Sequence, residues 1–220
     1  GVGVDPTRFE RDGDFDQASP PPDLGVVSLI SVGNRHTCAA IEGGAIRCWG
    51  DNSSGQSEAP NLPWAVTQVT SGSRHSCALS ESGQVACWGA NDREQLSSPD
   101  LVFHRIDAGG DLTCGQTEDF SIACWGDRGS VTIPEGPFQH FSVGEETLCL
   151  TPFTDEQVVE THCETHSALR SGEADTPWSF ILDQRILTAL VAGHGQACAL
   201  RADERLSCQG NHSPLSRPRE

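Results

Sequence analysis

Short runs of alternating apolar and polar residues, separated by glycine-rich turns, recur along most of the chain. The first copy of this pattern contains three such runs, over residues 28–32, 37–41 and 45–49, with glycines between the second and the third. Alternation over a few residues predicts half-buried β-strands, and two strands parted by a glycine-containing turn predict a β-hairpin. The pattern therefore predicts an all-β fold of short strands and hairpins.

The strand pattern occurs in five copies, spaced 35 to 49 residues apart. Every copy has a glycine, a cysteine five residues after it, and an apolar residue three places before it. The glycines are Gly33, Gly72, Gly109, Gly144 and Gly193. The apolar residues are Ile30, Val69, Ile106, Phe141 and Leu190. Repeats of this length are typical of propellers, solenoids and arrays, whose units cannot bury a face alone, so we expect a single domain.

The ten cysteines fall into five pairs at equivalent places in the repeats. Cys38 and Cys48 are equidistant from Gly43, so they face one another across the predicted hairpin, within disulfide reach. The expected disulfides are Cys38–Cys48, Cys77–Cys87, Cys114–Cys124, Cys149–Cys163 and Cys198–Cys208. Because this pairing leaves no thiol over, it favours an oxidising location, extracellular, periplasmic or at the cell surface.

The chain divides into three predicted segments. Residues 1–24 are acidic and proline-rich, and we expect an arm or linker there, part of which could add an outer strand to the last copy. Residues 25–213 hold the five repeats, and residues 214–220 form a tail. Copy four carries an insertion at about 164–185, and such additions to a regular scaffold often carry function.

The composition excludes several classes of function. The 31 acidic and 14 basic residues give a net charge of −17, and every basic residue is arginine. Such an acidic chain repels a phosphate backbone, so we expect no nucleic-acid partner. The sequence has no apolar run of 18 residues, so we also expect no membrane insertion.

The two most regular copies share glycine, histidine and cysteine at fixed spacing, followed by Cys-Trp-Gly-x-Asn and a glutamine. This pattern is carried by Gly33, His36, Cys38, Trp49, Asn52 and Gln56, and by Gly72, His75, Cys77, Trp88, Asn91 and Gln95. It resembles the repeat of the regulator of chromosome condensation family, and the cystine in each hairpin is similar to that family's bacterial exported branch. The resemblance covers about residues 26 to 210 and implies a β-propeller of about five short blades, with one disulfide-braced hairpin per repeat.

Members of this family differ in function, from nucleotide exchange on a small GTPase to ultraviolet sensing and β-lactamase inhibition, so the fold does not choose among them. We expect a secreted or cell-surface, non-catalytic module that binds another macromolecule, a protein, through propeller loops. The alternatives are a lectin-like propeller that binds glycans and a β-lactamase-inhibitor-like protein. The lectin-like alternative predicts a tryptophan and an Asn or Asp in every copy, and copies four and five break that pattern.

The predicted partner-binding residues lie in the loops after the hairpins and in the insertion of copy four. They are Asp51, Asn52, Asn91, Asp92, Arg93, Asp127, Arg128, Trp178 and Phe180. Loops fixed on a rigid scaffold, with aromatic anchors, suit recognition of a broad surface. No Gly-x-Ser-x-Gly or His-Glu-x-x-His motif occurs, so we do not expect an enzyme.

Metal binding has two candidate positions. Asp12, Asp14 and Asp16 are spaced like the start of a calcium loop, but Gln17 stands where the loop needs glycine. A solvated acidic linker is therefore favoured and we expect no cofactor, with calcium as the best metal candidate. His162, Cys163 and His166 provide ligand types that zinc prefers. A disulfide at Cys163 removes its sulfur as a ligand.

We expect structural roles for the recurring histidines and tryptophans. Histidine stands at 36 and 75, but leucine, threonine and glutamine occupy the equivalent places 112, 147 and 196, which excludes a ring of metal ligands. We therefore expect His36 and His75 to hydrogen-bond the adjacent turn. Trp49, Trp88 and Trp125 are expected to pack at the ends of their hairpins and to seal blade against blade.

Overall fold

The computed structural model describes residues 15–129, 131–153, 158–165, 178–183, 187–193, 196–201 and 206–210. The regular structure in these residues consists of sixteen β-strands in five sheets. Each sheet holds one sequence repeat, and we number the sheets blade 1 to blade 5 in chain order. The predicted all-β fold with one blade per repeat is confirmed. Within the described ranges, no helix is long and apolar enough to cross a membrane.

Each blade is an antiparallel meander whose strands follow one another in chain order. Blade 1 contains β1 (Val27–Val32), β2 (His36–Ile41) and β3 (Ile46–Gly50); blade 2 contains β4 (Val66–Ser71), β5 (His75–Ser80) and β6 (Val85–Gly89); blade 3 contains β7 (Phe103–Gly109), β8 (Leu112–Thr117) and β9 (Ile122–Gly126). Blade 4 contains β10 (Phe138–Val143), β11 (Thr147–Pro152), β12 (Val158–Thr165) and β13 (Trp178–Asp183); blade 5 contains β14 (Leu187–Ala192), β15 (Gln196–Arg201) and β16 (Leu206–Gly210).

Blade 4 differs from the others because it has a fourth strand. Part of the predicted insertion forms β13, which pairs with β12 from Val158↔Asp183 to Cys163↔Trp178. This part of the insertion therefore continues the sheet. Residues 166–177 of the insertion lie outside the described residues.

In each blade, the second and third strands are aligned so that their two cysteines lie directly opposite one another. Cys38 faces Cys48 and Cys77 faces Cys87, and the other three pairs follow the same register. All five predicted disulfides are formed, with Cα atoms 4.0 to 4.1 Å apart. The extra residues of copy four are shared between the two sides of its turn, so the register is kept.

Side chains alternate across each strand, so every blade has two different faces. The trailing face carries the cystine, and the leading face carries the apolar residue three places before the repeat glycine. In each of four buried clusters, the cystine face of one blade packs against the leading face of the next. Between blades 1 and 2, for example, Cys38 packs with Val69 and Ala78. The blades are therefore joined mainly by apolar contact between unlike faces.

Hydrogen bonds also join the inner strands of neighbouring blades. Thr70 Oγ1 accepts from the Ala108 backbone N–H at 2.9 Å, and Ser142 Oγ accepts from the Ala192 N–H at 3.0 Å. Asp107 plays the same part in blade 3, where its carboxylate accepts from the Val143 N–H at 2.9 Å. Because these acceptors occupy one repeat position, a polar residue there links each blade to the next.

The repeat glycines allow the inner turns to approach one another. A Cβ atom added to Gly72 would lie 2.6 Å from the carbonyl oxygen of Gly110, and one added to Gly33 would lie 2.5 Å from that of Gly72. Real Cβ atoms do not approach a backbone oxygen so closely. In blades 1 to 4 the glycine is therefore needed because it stands against the inner turn of the next blade, whereas a Cβ atom added to Gly193 would meet only Gln196 of its own blade, at 3.5 Å.

His36 and His75 link adjacent blades instead of the adjacent turn. His36 Nε2 shares a 2.7 Å hydrogen bond with Ser76 Oγ of blade 2, and His75 Nε2 shares one of 2.7 Å with Thr113 Oγ1 of blade 3. Both imidazoles are completely buried, and each packs against the glycine of its own turn. Their role is structural, as predicted, but the predicted bonding partner is wrong.

The N-terminal arm supplies a loop to blade 1. Gln17 O accepts a hydrogen bond from the Trp49 indole at 2.8 Å and another from Thr37 Oγ1 at 2.9 Å. Blades 2 and 3 use the same contact, since Trp88 donates to Gln56 O at 2.9 Å and Trp125 donates to Gln95 O at 3.1 Å. The suggestion that the arm adds an outer strand to the last copy is wrong for residues 15–24, which lie against blade 1.

The two buried histidines make stability depend on pH. Burial lowers the pKa of His36 and His75 from the ordinary 6.5 to about 4. Between these values the unfolded chain binds protons that the folded chain does not bind. Stability that is fully present above pH 6.5 is therefore lost as the pH falls toward 4.

We predict that replacing both histidines by glutamine, the residue at the equivalent position 196, flattens this dependence. Wild type should lose about 2 kcal/mol per histidine between pH 7 and pH 4.5, measured by urea unfolding at each pH. Burial raises the pKa of Asp107, which acts in the opposite direction but equally in both proteins. Identical pH slopes for His36→Gln/His75→Gln and wild type would contradict the assignment.

Candidate functional site

The turns after the first strands and the links after the third strands lie on the same side of the blades. This follows from the meander, because β1 and β3 run in the same direction. We call this side the link face and the opposite side, where the second and third strands are joined, the hairpin face. The link face contains seven of the nine predicted partner-binding residues: Asp51, Asn52, Asn91, Asp92, Arg93, Asp127 and Arg128. The other two, Trp178 and Phe180, belong to β13 in blade 4.

The recurring asparagines of the link face hold the links in shape. Asn52 Oδ1 accepts from the Ser57 backbone N–H at 3.1 Å, while its Nδ2 donates to Glu58 at 2.9 Å. In the next copy, Asn91 Oδ1 accepts from the Leu96 N–H at 3.1 Å. Asparagine recurs at this position because its short side chain satisfies backbone groups of the turn.

The charged residues of the link face between blades 2 and 3 form ion pairs with one another. Arg74 Nη2 donates to both carboxylate oxygens of Asp92, at 3.0 and 2.9 Å, and lies 3.6 Å from Asp111. Arg93 Nη1 donates to Asp127 at 3.0 Å. The hydrogen bond from Arg74 holds the pKa of Asp92 below its usual value. These exposed pairs contribute little stability, but they fix side chains that a partner would otherwise have to order.

The inner turns surround a shallow opening on the axis of the blades. Its volume is about 300 Å³, and the five repeat glycines and their neighbours line it. Most of its described lining is glycine, alanine or valine, and its polar side chains are those of Asn34, Ser71, Ser73 and Glu145.

The structure bears on the candidate zinc site but does not test the candidate calcium site. Cys163 is disulfide-bonded, so the predicted zinc cluster around it loses its sulfur, and His166 lies outside the described residues. Among the residues that the structure describes, no three His, Cys, Asp or Glu side chains converge on a metal position. Asp12 and Asp14 lie outside the described ranges, so calcium binding with Asp16 stays a prediction.

An aromatic patch on the hairpin face was not predicted. It consists of His104, Phe120 and Phe153, and it spans blades 3 and 4. The Phe120 and Phe153 rings meet edge to face with centroids 5.0 Å apart, and His104 lies 5.7 Å from Phe120. Both phenylalanines are well exposed, at 41% and 43%. Aromatic side chains at this exposure are typical of interaction sites.

Phe120 occupies a backbone position that normally requires glycine. Its φ is 65°, and the equivalent turn residues Gly44 and Gly83 have φ of 85° and 82°. Left-handed backbone is unfavourable for a bulky residue, so this turn retains an aromatic side chain at an energetic cost. A comparison of Glu81-Ser82-Gly83 with Glu118-Asp119-Phe120 contains the signal that would have identified the patch.

The repeats match a known family model. Residues 27–56 and 66–95, which include blades 1 and 2 and their links, match the model described as the regulator of chromosome condensation (RCC1) repeat. Two of the five repeats are therefore of the RCC1 type. Comparison of its sequence with curated proteins finds no match. Membership of the bacterial exported branch stays a prediction.

Solved structures with similar blades show the same fold. The ectodomain of the Physcomitrella patens receptor kinase CR4 has a TM-score of 0.63 at 24% identity, over 88% of this chain and 53% of that one. The CRINKLY WD40 ectodomain of the Arabidopsis thaliana receptor kinase ACR4 has a TM-score of 0.65 at 23% identity, over 87% and 66%. Prp20p from Saccharomyces cerevisiae has a TM-score of 0.64 at 17% identity, over 82% and 56%.

At these identities the similarity establishes the fold and not the activity. The chain spans between about half and two thirds of the length of these structures.

We predict that Asn91 stabilises its link and that the side-chain oxygen is the group responsible. Asn91→Ala should lower the free energy of unfolding by about 1 kcal/mol in urea, because the Leu96 N–H loses its acceptor. Asn91→Asp keeps an oxygen at the same place and should retain most of the stability. Equal losses in both variants would show that the hydrogen bond is not what holds the link.

Proposed function

We propose that this protein is a non-catalytic binding module that recognises a protein partner through the aromatic patch on its hairpin face. The observation that carries the proposal is Phe120, an exposed phenylalanine at a left-handed turn position where two sister repeats have glycine. A side chain kept at a conformational cost, with a second exposed ring against it, is better explained by recognition than by folding.

The side chains of the link face are mostly bonded to one another, and this supports placing recognition on the hairpin face. Most of the charged and amide side chains predicted to bind a partner already bond within the protein, as Asp92 does with Arg74 and Arg93 with Asp127. The aromatic rings offer apolar area that is free of such bonds. Contact of a partner with link-face residues such as Arg128 stays a prediction, and the same experiment can test it.

The charge around the patch indicates the chemistry of the partner. Glu118 and Asp119, both exposed, precede Phe120 in the same turn, and the whole chain carries a net charge of −17. A complementary protein surface would have an apolar pocket with basic residues at its rim. Association should therefore weaken as the salt concentration rises, because salt screens exposed charges.

Related propellers support a protein partner and an extracellular location. Prp20p has binding properties to Gsp1p and histones, and yeast RCC1 (Prp20) has been seen bound to Kap60. Two other structural relatives are receptor-kinase ectodomains. Together with five disulfides in 220 residues, these relatives favour a protein-binding role outside the reducing cytosol.

The test compares partner binding and stability in Phe120→Gly. A phage-displayed library of short peptides is selected on wild type, and the enriched peptides are measured against the variant by biolayer interferometry. Binding should fall at least tenfold. The free energy of unfolding should stay within about 1 kcal/mol of wild type, because relief of left-handed strain offsets the lost ring contact.

Controls separate the patch from the rest of the surface. Phe153→Ser should also weaken binding, whereas Leu101→Ser, at a comparably exposed apolar residue outside the patch, should not. Binding of the same peptides to Arg128→Ala tests whether a partner also contacts the link face. Peptides that bind Phe120→Gly as tightly as wild type, or a selection that enriches no Phe120-dependent peptide, would overturn the proposal. Glycan-array binding that depends on Phe120 would indicate the lectin-like alternative.

A further inference from the structure

The outer strand of blade 3 has an unpaired edge. The strand order β7-β8-β9 leaves β9 paired on one side only within the described residues. The Cα atoms of Cys114 and Cys124 lie 4.0 Å apart, which is the close spacing of an antiparallel pair without mutual backbone hydrogen bonds. The backbone N–H and C=O groups of Cys124, and those of Ile122 two residues earlier, therefore point away from β8. In the described part of the chain no other group bonds them, so they form a row of available donors and acceptors.

Blade 4 shows what occupies such an edge in this fold. There β13 pairs antiparallel with β12, and Trp178 stands opposite Cys163. Cys163 has the repeat position of Cys124, and its Cα atom is likewise 4.1 Å from that of its cystine partner. The backbone groups that bond β13 are therefore the equivalents of those left unpaired in β9. Cys163 is completely buried, whereas Cys124, with no fourth strand beside it, is only partly buried.

A groove of about 730 Å³ follows the unpaired edge of β9. Residues 122–124 form its floor, Pro99 of the link before blade 3 lies on one side, and Val131 and Ile133 of the link after blade 3 lie on the other. The two sides are distinct, because Ala123 packs towards blade 2 while Val131 and Ile133 pack into the cluster between blades 3 and 4. Side chains of an added strand would alternate between these two sides.

The link after blade 3 borders β9 without pairing with it. This link contains four residues of types that are unfavourable inside a strand, Gly129, Pro134, Gly136 and Pro137. In blade 4, the chain that follows the third strand includes β13, whose aromatic and branched residues favour a strand. The difference in residue types explains why blade 4 supplies its own fourth strand and blade 3 does not.

β9 lacks the features that commonly protect an edge strand. From Ile122 to Gly126 it contains no charged residue and no proline, two common devices against pairing with another chain. The equivalent strand of blade 1 does carry a charge, Arg47, which lies 3.6 Å from Asp23 of the arm. The edge of β9 is therefore open to pairing, and the edge of β3 is protected.

Charged residues mark the two ends of the groove. Arg128 lies at the end next to the link face and Glu135 at the end next to the hairpin face, and both are exposed. A strand antiparallel to β9 begins at the link face, as β13 does beside β12. Its first residues would meet Arg128 and its last residues would meet Glu135. The complementary strand is therefore acidic at its start and basic at its end.

We propose that the groove beside β9 binds an extended segment of a partner protein as the fourth strand of blade 3. The segment has apolar residues at alternate positions, facing Val131 and Ile133, with an acidic residue before them and a basic residue after them. A second copy of this chain is a poorer occupant, because two chains of net charge −17 repel one another. The site goes beyond the aromatic patch, since Phe120 contacts His104 and Phe153 and does not line the groove.

The first test adds a synthetic peptide, acetyl-Glu-Val-Thr-Val-Thr-Val-Lys-amide, and follows amide hydrogen exchange by NMR. Without peptide, the outward amides of Ile122 and Cys124 should exchange quickly. With saturating peptide their exchange should slow at least tenfold, because each gains a strand partner. The amide of Cys87, at the same position in blade 2, should not change. Protection before peptide is added would show that the edge is already covered, and either that result or no protection afterwards would overturn the proposal.

Methylated peptides distinguish strand pairing from simple adsorption in the groove. A residue opposite Cys124 points its side chain to the same side as Cys124 and its N–H group towards β9. With the valines on that side, their amides bond β9 and the threonine amides face away. N-methylation of the valines should abolish the protection of Ile122 and Cys124, whereas N-methylation of the threonines should retain most of it. Equal effects of the two methylations would contradict strand pairing.

Charge exchange tests the direction of the bound strand. Arg128→Glu and Glu135→Arg should each weaken peptide binding a few-fold in an NMR titration, because exposed ion pairs are individually weak. The double variant should prefer the peptide with exchanged end charges, acetyl-Lys-Val-Thr-Val-Thr-Val-Glu-amide. A double variant that still prefers the original peptide would contradict the antiparallel direction.

A matched control for net charge is Glu81→Arg, an exposed glutamate in the hairpin turn of blade 2. It changes the charge of the chain as much as Glu135→Arg does, and it should bind the peptide like wild type. Equal weakening in Glu81→Arg would show that the peptide responds to total charge and not to the ends of the groove. Phe120→Gly should bind the peptide normally, so this test and the test of the aromatic patch fail independently.

Discussion

The packing of each cystine face against the apolar leading face of the next blade is the contact on which the whole structure depends. A three-stranded blade is too thin to bury a core within itself, so its stability comes from its neighbours. The disulfide contributes twice, because it fixes the register of the hairpin and supplies the centre of the face that the next blade covers. Cys77, for example, is completely buried beside Phe103 and Ile106 of the following blade.

The polar residues of the core follow from the same contact. Once two blades lie face to face, backbone N–H groups and indole nitrogens at the interface need acceptors, since an unpaired buried donor is costly. Thr70, Asp107 and Ser142 serve the inner strands, and the carbonyl of Gln56 or Gln95 serves the tryptophan at the outer end. The buried histidines complete the set at the inner turns and make the interfaces sensitive to acid.

Much of this fold could be predicted from the sequence because the repeat is local. The five copies, the strands and the disulfide register all depend on spacings within one repeat. Contacts between repeats could not be read in the same way, so the bond from His36 to Ser76 was assigned to the wrong partner. The role of Gln17 could not be predicted because it lies in contacts between the arm and blade 1, with Trp49 and Thr37. Phe120 was missed because its importance lies in a φ angle and not in a motif.

Blade 5 differs from the middle blades because no described blade packs on its trailing face, whereas blades 2 and 3 are covered on both sides. Hydrogen–deuterium exchange of the wild-type protein measures this most directly. The amides of β15 should exchange at least tenfold faster than those of the equivalent strands β5 and β8. Equal protection of all three strands would contradict the claim that each blade is stabilised by the face of its neighbour.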